Sequence, residues 1–325
     1  MIAKKRLIIL IFVRFKIRLY RTNFMNSTQD NLIQDRALKA VIADYFQLTK
    51  PGIALAVLMS MLMGFIIGSQ GNVDFFLMLH AILGTYLIAS GTSAHNMFME
   101  RNLDGLMKRT ERRPLPQQRI SAQNGMLFSL FLIFTGLAYL VVIVNPIAGL
   151  VSFATTLIYL AAYTPLKRLS AYNILVGAIP GALPPVGGWA AASGTISDPG
   201  MWLLFGIVLF WQIPHVMAIA WKYKDDYSSA GFKMLPKNDV KGYKTAFYAI
   251  FCTLLLFPVS IAIFQLGFAG LLFLILSISL AIFYLWFGIR FAQDRSLINA
   301  RKLMFASIAY LPLFWVVLFL DRVLL

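Results

Sequence analysis

Two stretches of this 325-residue chain combine side chains able to hold a divalent cation against a phosphorylated group. The first places Asn96, Glu100 and Asp104 four residues apart, then runs Met107-Lys108-Arg109-Thr110-Glu111-Arg112-Arg113-Pro114-Leu115. The second runs Trp221-Lys222-Tyr223-Lys224-Asp225-Asp226-Tyr227 and on to Gly231 and Met234-Leu235-Pro236. Together they hold five of the thirteen acidic residues, each set beside Lys or Arg. If the helix entering the first stretch continues past its apolar part, the spacing of four puts Asn96, Glu100 and Asp104 on one face. A row of oxygen ligands suits Mg²⁺, which takes a few carboxylates, phosphate oxygens and waters. Guanidinium groups grip phosphate bidentately and lysine binds it as a point charge. A solvated, charge-laced helix end shows the same spacing. The second cluster, also placed directly after an apolar run, favours two acidic groups facing one diphosphate.

The elements that must position these residues are membrane helices. The chain is 59% hydrophobic and 13% charged, with mean hydropathy +0.75. A soluble domain carries about 25% charge. Continuous apolar runs of roughly 20 residues read as transmembrane helices, not as the alternating strands of a barrel. Nine spans are expected, at about 51–69, 73–95, 122–144, 147–166, 173–193, 200–220, 245–265, 268–289 and 303–320. The expected fold is all-α, a polytopic membrane protein with nine transmembrane helices around a central cavity. Pro51 opens the first span and Asn145-Pro146 parts the third from the fourth. Gly177, Pro180, Gly181, Pro184, Pro185, Gly187 and Gly188 predict a kinked, closely packed fifth span.

The net charge of +16 would suggest nucleic acid in a soluble protein, but here it lies in loops between apolar runs, which excludes that partner. Lys and Arg number ten in residues 1–50, six in 96–121, two in 165–172, six in 221–244 and four in 290–302. The intervening loops hold none, so 28 of 29 basic residues fall on one side. The positive-inside rule makes that side cytoplasmic, with the N-terminus inside and the C-terminus outside. Residues 1–44 read as a basic N-terminal extension, partly disordered or interfacial, and 45–325 as one membrane domain. Residues 1–24 carry no acid, and their short apolar run Leu7–Val13 is too short to span. Met25 is an alternative start. A mitochondrial presequence would be richer in serine, so a multi-pass protein of the bacterial cell inner membrane is expected over the mitochondrial inner membrane. The single cysteine, Cys252, lies in an apolar run and reads as a small buried hydrophobe.

The same residues resemble a known family. Asn96…Glu100-Arg101-Asn102-Leu103-Asp104…Met107-Lys108-Arg109-Thr110…Arg113-Pro114-Leu115 is similar to the first signature of the protohaem IX farnesyltransferases, within the UbiA-type intramembrane prenyltransferase superfamily. Tyr223-Lys224-Asp225-Asp226-Tyr227…Gly231…Met234-Leu235-Pro236 resembles the second. Tyr163-Thr164-Pro165-Leu166-Lys167-Arg168, Asn173 and Gly181 to Trp189 resemble the segment between. The resemblance extends from about residue 45 to the C-terminus. The wider superfamily has aspartate where Glu100 stands, and His215 falls where quinone-type members carry aspartate; both departures favour a haem acceptor over an aromatic acid.

The resemblance implies transfer of farnesyl from farnesyl diphosphate to a vinyl group of haem b, with addition of water, giving haem O on the route to haem A and cytochrome oxidase. It implies Mg²⁺ as cofactor, the bilayer as setting and a haem A synthase as a downstream partner. Asn96, Glu100, Asp104, Asp225 and Asp226 are the candidate metal and catalytic residues. Arg101, Lys108, Arg109, Arg112, Arg113, Lys167, Lys222 and Lys224 compete for diphosphate, with Lys108, Arg109 and Lys224 foremost. His95 and His215, near the ends of the motif-bearing spans, are candidates for haem or proton transfer. His80 reads as a packing histidine. Tyr163, Trp189, Trp211 and Tyr227 are aromatic candidates for shielding a carbocation, or interface residues. Both stretches span 21 residues from His to Pro, His95 to Pro116 and His215 to Pro236, a hint of internal repetition. Alternatives are a UbiA-type transferase acting on a quinone precursor or chlorophyllide, and a transporter. A transporter would place ionisable groups at mid-membrane, whereas these sit at one rim.

Overall fold

The structure is a computed structural model, and it describes residues 27–235 and 239–324. The readings that fall on residues 1–24 and on Pro236 lie outside the described residues. Two compact units divide between Ala43 and Asp44. The first carries the start of the helix Ser27–Leu48. The second carries, among the described residues, nine helices long and apolar enough to cross a membrane. They are Pro51–Gly68, Phe75–Asp104, Ala122–Val144, Pro146–Leu169, Asn173–Ser193, Pro199–Lys222, Tyr243–Gln265, Leu271–Gln293 and Leu297–Arg322. No strand occurs among the described residues. The chain is an all-α, multi-pass membrane protein, as its apolar runs predict.

The second span runs nine residues past its apolar part. Asp74 caps its start, its side chain accepting from the Leu77 amide at 3.0 Å, and neither Gly nor Pro interrupts it from 96 to 104. The helix therefore reaches Asp104 and stops at Gly105. Glu100 and Asp104 thus stand at the negative end of the helix dipole, where a carboxylate is disfavoured unless a cation answers it.

The fourth span changes pitch before the motif it carries. It is α-helical over Pro146–Leu157, widens to a π-turn over Ile158–Tyr163, and resumes as Thr164–Leu169. Pro165 has no N–H to give to the turn behind it and its ring crowds a carbonyl there, so the ladder opens at that point. The fifth span breaks at Leu183, between Asn173–Ala182 and Pro184–Ser193, because Pro184 and Pro185 offer no donors.

The second half of the fifth span crosses the first span at glycine contacts. A methyl group built on Gly188 would overlap the Met61 carbonyl oxygen, and one on Gly64 the Pro185 carbonyl. Gly188→Val should therefore push the helices apart and lower the thermal transition in detergent, at a cost of about 3 kcal/mol or more. An unchanged transition would contradict the close crossing.

At the far end of the bundle, the buried Asp321 carboxylate accepts from the backbone N–H groups of Gly270 and Phe273, capping Leu271–Gln293 from a neighbouring helix. Gly270 has no side chain to do this, and an apolar surrounding offers the orphan donors no water.

Candidate active site

The row predicted by spacing exists. Asn96, Glu100 and Asp104 lie one turn apart on the second span and are only 1%, 6% and 1% exposed. Each is answered by a cation from a different part of the chain. Lys50 Nζ donates to Asn96 Oδ1 at 2.9 Å. Lys167 Nζ, on the last turn of the fourth span, donates to Glu100 Oε1 at 2.8 Å. Arg113 Nη1, from the loop after the second span, donates to Asp104 Oδ2 at 2.7 Å. Asn96 Nδ2 also donates to Thr164 Oγ1 at 3.2 Å, which ties the row to the reset helix of the fourth span.

Lys50 is a site residue that the motifs do not contain. It precedes Pro51 and holds φ 48°, ψ 64°, a left-handed conformation costly for a side-chain-bearing residue. Its carbonyl accepts from the Ile53 and Ala54 amides, so it is also the hinge on which the first span starts. The segment before it is pinned. Leu48 is fully buried with Ala94, Met97, Leu115 and Ile120, and Asp44 pairs with Arg119 at 3.0 Å. Burial, with Arg113 and Lys167 close by, pushes the Lys50 ammonium down to about 7. One signal in the sequence could have found it: a lysine placed directly against the proline that opens a span.

The loop after each motif-bearing span folds toward the other. Arg109 Nη2 donates to Tyr227 Oη at 3.0 Å, and its guanidinium lies 4.9 Å from the Tyr223 ring and 5.2 Å from the Tyr227 ring. Ser229 Oγ lies 3.2 Å from the Leu106 carbonyl, sharing its proton with the nearer Asp226 carbonyl at 2.8 Å. Met107 packs in one buried cluster with Ala230, Phe232 and Met234. The Lys233 amide donates to the Lys167 carbonyl at 2.7 Å, and Asn173 Nδ2 donates to the Lys233 carbonyl at 3.0 Å. All three motif segments therefore meet at one end of the bundle. Lys167 stands at their junction, its ammonium 4.6 Å from the Tyr163 ring and 5.7 Å from the Phe232 ring.

Asp225 and Asp226 lie on the short helix Lys224–Ser229, exposed and partly exposed, with no ion pair among the described residues. Nor is any group of three or more His, Cys, Asp or Glu gathered for a metal among the described residues. In kind, the donors fit Mg²⁺: two buried carboxylates and an amide oxygen on one helix face, with no soft ligand among them. In placement, ammonium and guanidinium groups already sit on those oxygens.

The remaining candidates are spread. Arg101 turns back to the Phe98 carbonyl at 2.8 Å and lies over the Phe98 ring. Arg112 lines a polar basin with Gly105, Glu111 and Arg119. Lys222 lies over Tyr223 and Lys224 over Trp221, at 4.6 and 5.2 Å. Lys108 is exposed. The two histidines share a motif. His95 Nδ1 meets Ser129 Oγ at 2.9 Å and His215 Nδ1 meets Ser307 Oγ at 2.6 Å. Each serine gives its own proton to a carbonyl three residues back, at Met126 and Met304. Each imidazole is thus held through Nδ1, and Nε2 has no hydrogen-bond partner among the described residues. His215 also stacks on Trp211, rings 5.3 Å apart. His80, exposed on the second span, meets Tyr139 Oη of the third span at 2.6 Å.

An apolar cavity lies deeper in the bundle, lined by Ala54, Met61, Ile88, Val151, Tyr159 and Gly187 among others. It reaches Thr92 and Ser93, one turn before Asn96. Neither His95 nor His215 lines it.

Comparison with known proteins agrees with this architecture. The model of the UbiA prenyltransferase family matches residues 57–317. A Solibacter usitatus protein named Protoheme IX farnesyltransferase is 41% identical over 288 residues, 86% of this chain and 98% of that protein. A solved structure described as a digeranylgeranylglyceryl phosphate synthase study has a TM-score of 0.73 at 16% identity, covering 88% of this chain and all of that one. A UbiA homolog from Archaeoglobus fulgidus, bound to GPP and Mg²⁺, has a TM-score of 0.60 at 16% identity, covering 85% of this chain and 99% of that one. Family model and relative agree across most of the length: this chain belongs to the UbiA prenyltransferase family, on the branch of the protoheme IX farnesyltransferases.

Proposed function

We propose that this prenyltransferase moves farnesyl from farnesyl diphosphate to a vinyl group of haem b, giving haem O and diphosphate. The observation that carries the reading is the meeting of the two motif loops beside a buried row of Asn96, Glu100 and Asp104, one turn from an apolar cavity. Such a site takes a ligand with a charged head and a hydrocarbon tail. The choice of haem as acceptor rests on the relatives at up to 41% identity and on Glu100.

The chemistry balances with no redox partner. The allylic C–O bond of farnesyl diphosphate breaks, and its electron pair leaves with the diphosphate. The terminal vinyl carbon of haem b bonds to the farnesyl C1 carbon, and the positive charge moves to the vinyl carbon next to the pyrrole ring. Water adds there and gives up a proton, leaving a hydroxyethylfarnesyl group. Lys167 and Arg113 are the fixed cations placed to receive the leaving charge. Arg109, held between two tyrosines, closes the loop over it. Asn96, Glu100 and Asp104, with Asp225 and Asp226, would hold Mg²⁺, which when bound supplies further positive charge to the leaving group. Tyr159, lining the cavity one π-turn before Thr164, presents a ring where the allylic carbons would sit. His95 and His215, each with Nε2 open, remain the candidates for haem iron or the released proton.

The basic loops support a cytoplasmic face for this end of the bundle by the positive-inside rule, and with it the reading of a bacterial inner membrane and a haem A synthase as the partner that receives the product. Expression in a host lacking its own haem O synthase, followed by haem extraction and mass analysis, tests the reaction. A haem b peak gaining the mass of one farnesyl and one hydroxyl group is expected. Farnesylation of an aromatic acid in place of haem would overturn the acceptor.

A further inference from the structure

We infer that Lys50 is a further diphosphate-binding residue, which leaves the Asn96 oxygen for the ligand and so opens that oxygen to a cation. The inference rests on reading the site as a metal–diphosphate centre.

Three observations on Lys50 point this way. First, its only hydrogen-bond acceptor among the described residues is a neutral amide oxygen, Asn96 Oδ1, whereas Lys167 and Arg113 each hold a carboxylate. An ammonium with three donors and one neutral acceptor is under-partnered. Second, three basic side chains face two carboxylates along the row, so the place is short of negative charge and an anion would relieve it. Third, the lysine is delivered by a left-handed backbone turn anchored through Leu48 and the Asp44–Arg119 pair. Strain of this kind persists where the surroundings hold it, and it clusters at ligand clamps.

The consequence is an exchange of partners. In the resting protein every oxygen of the row that faces a cation is already taken. An arriving diphosphate offers Lys50 a charged acceptor in place of a neutral one, and a charge-assisted hydrogen bond is the stronger of the two. Asn96 Oδ1 is then free for a divalent ion. Lys167 and Arg113, bound to full carboxylates, have less to gain by moving, so Lys50 is the first to change partner. Binding of the anion thus prepares the cation site.

The test uses the full-length protein in detergent and two probes. Radiolabelled inorganic pyrophosphate is titrated in EDTA, and Mn²⁺ alone is titrated by its paramagnetic resonance signal. Lys50→Gln should weaken pyrophosphate binding by about tenfold or more, the loss of one charge-assisted contact. Its affinity for Mn²⁺ alone should stay equal or rise, because a competing ammonium has gone. Lys50→Arg, which keeps the charge, should restore pyrophosphate binding. Pyrophosphate binding by Lys50→Gln equal to that of the wild type overturns the inference while leaving the metal–diphosphate reading intact. Loss of both probes together, without rescue by Lys50→Arg, means a structural lysine and also overturns it. A wild-type protein that binds neither probe removes the reading itself.

Discussion

Asp104→Ala should reduce haem O formation by about 10³-fold, the scale set by removing one preorganised electrostatic group from a dry site. Asp104 is 1% exposed, ends the second span, and holds Arg113 at 2.7 Å. Without it the guanidinium has no fixed direction, and the row loses the carboxylate nearest the loop. The measurement is haem O formed per unit of inserted protein at saturating farnesyl diphosphate, with Asp104→Asn as the variant that keeps the side chain's size. Both should fail at kcat and keep a folded thermal transition. Slow hydrolysis of farnesyl diphosphate in the absence of haem should fall with it, since the defect lies in C–O cleavage. Full activity in Asp104→Asn would show that the negative charge has no part in the reaction.

How much of this was legible in the sequence follows from which forces act locally. The nine spans could be read because apolar continuity is a property of consecutive residues and the bilayer punishes any break in it. The face shared by Asn96, Glu100 and Asp104 could be read because a helix fixes what lies four residues on. Its extension to Asp104 was an assumption that the absence of Gly and Pro up to Gly105 made good. Lys50 was signalled only by its place against Pro51: its reach to Asn96 depends on a left-handed turn held by Leu48 and Arg119, contacts 46 to 75 residues apart. Arg112 and Arg113 are neighbours in sequence, yet one lines an outer basin and the other holds Asp104. No periodic pattern separates adjacent residues of an irregular loop. The histidines' orientations are set by serines 34 and 92 residues away, and the Asp321 cap by an amide 51 residues back. Patterning specified the helices, and tertiary contacts chose among the polar groups they carry.

The pair Glu100–Lys167 separates a structural role from a catalytic one. Both side chains are nearly buried, at 8% and 12% exposure, and their atoms lie 2.8 Å apart. Lys167→Met leaves Glu100 without its cation at the unfavourable end of a helix dipole, so it should cost about 3–5 kcal/mol of stability as well as activity. The double variant Glu100→Gln with Lys167→Met removes both charges together, and most of that stability should return, because no buried charge is left unanswered. Activity should not return. Lys167 would be absent from the leaving diphosphate and Glu100 from the oxygen row, so turnover should remain about 10³-fold or more below wild type. Thermal unfolding in detergent and haem O formation, measured on the same preparations, give the two readouts. Recovery of activity along with stability in the double variant would reduce the pair to a strut between the second and fourth spans. Recovery of stability alone identifies a pair retained for what it does to diphosphate, at a place where two uncharged side chains would fold as well.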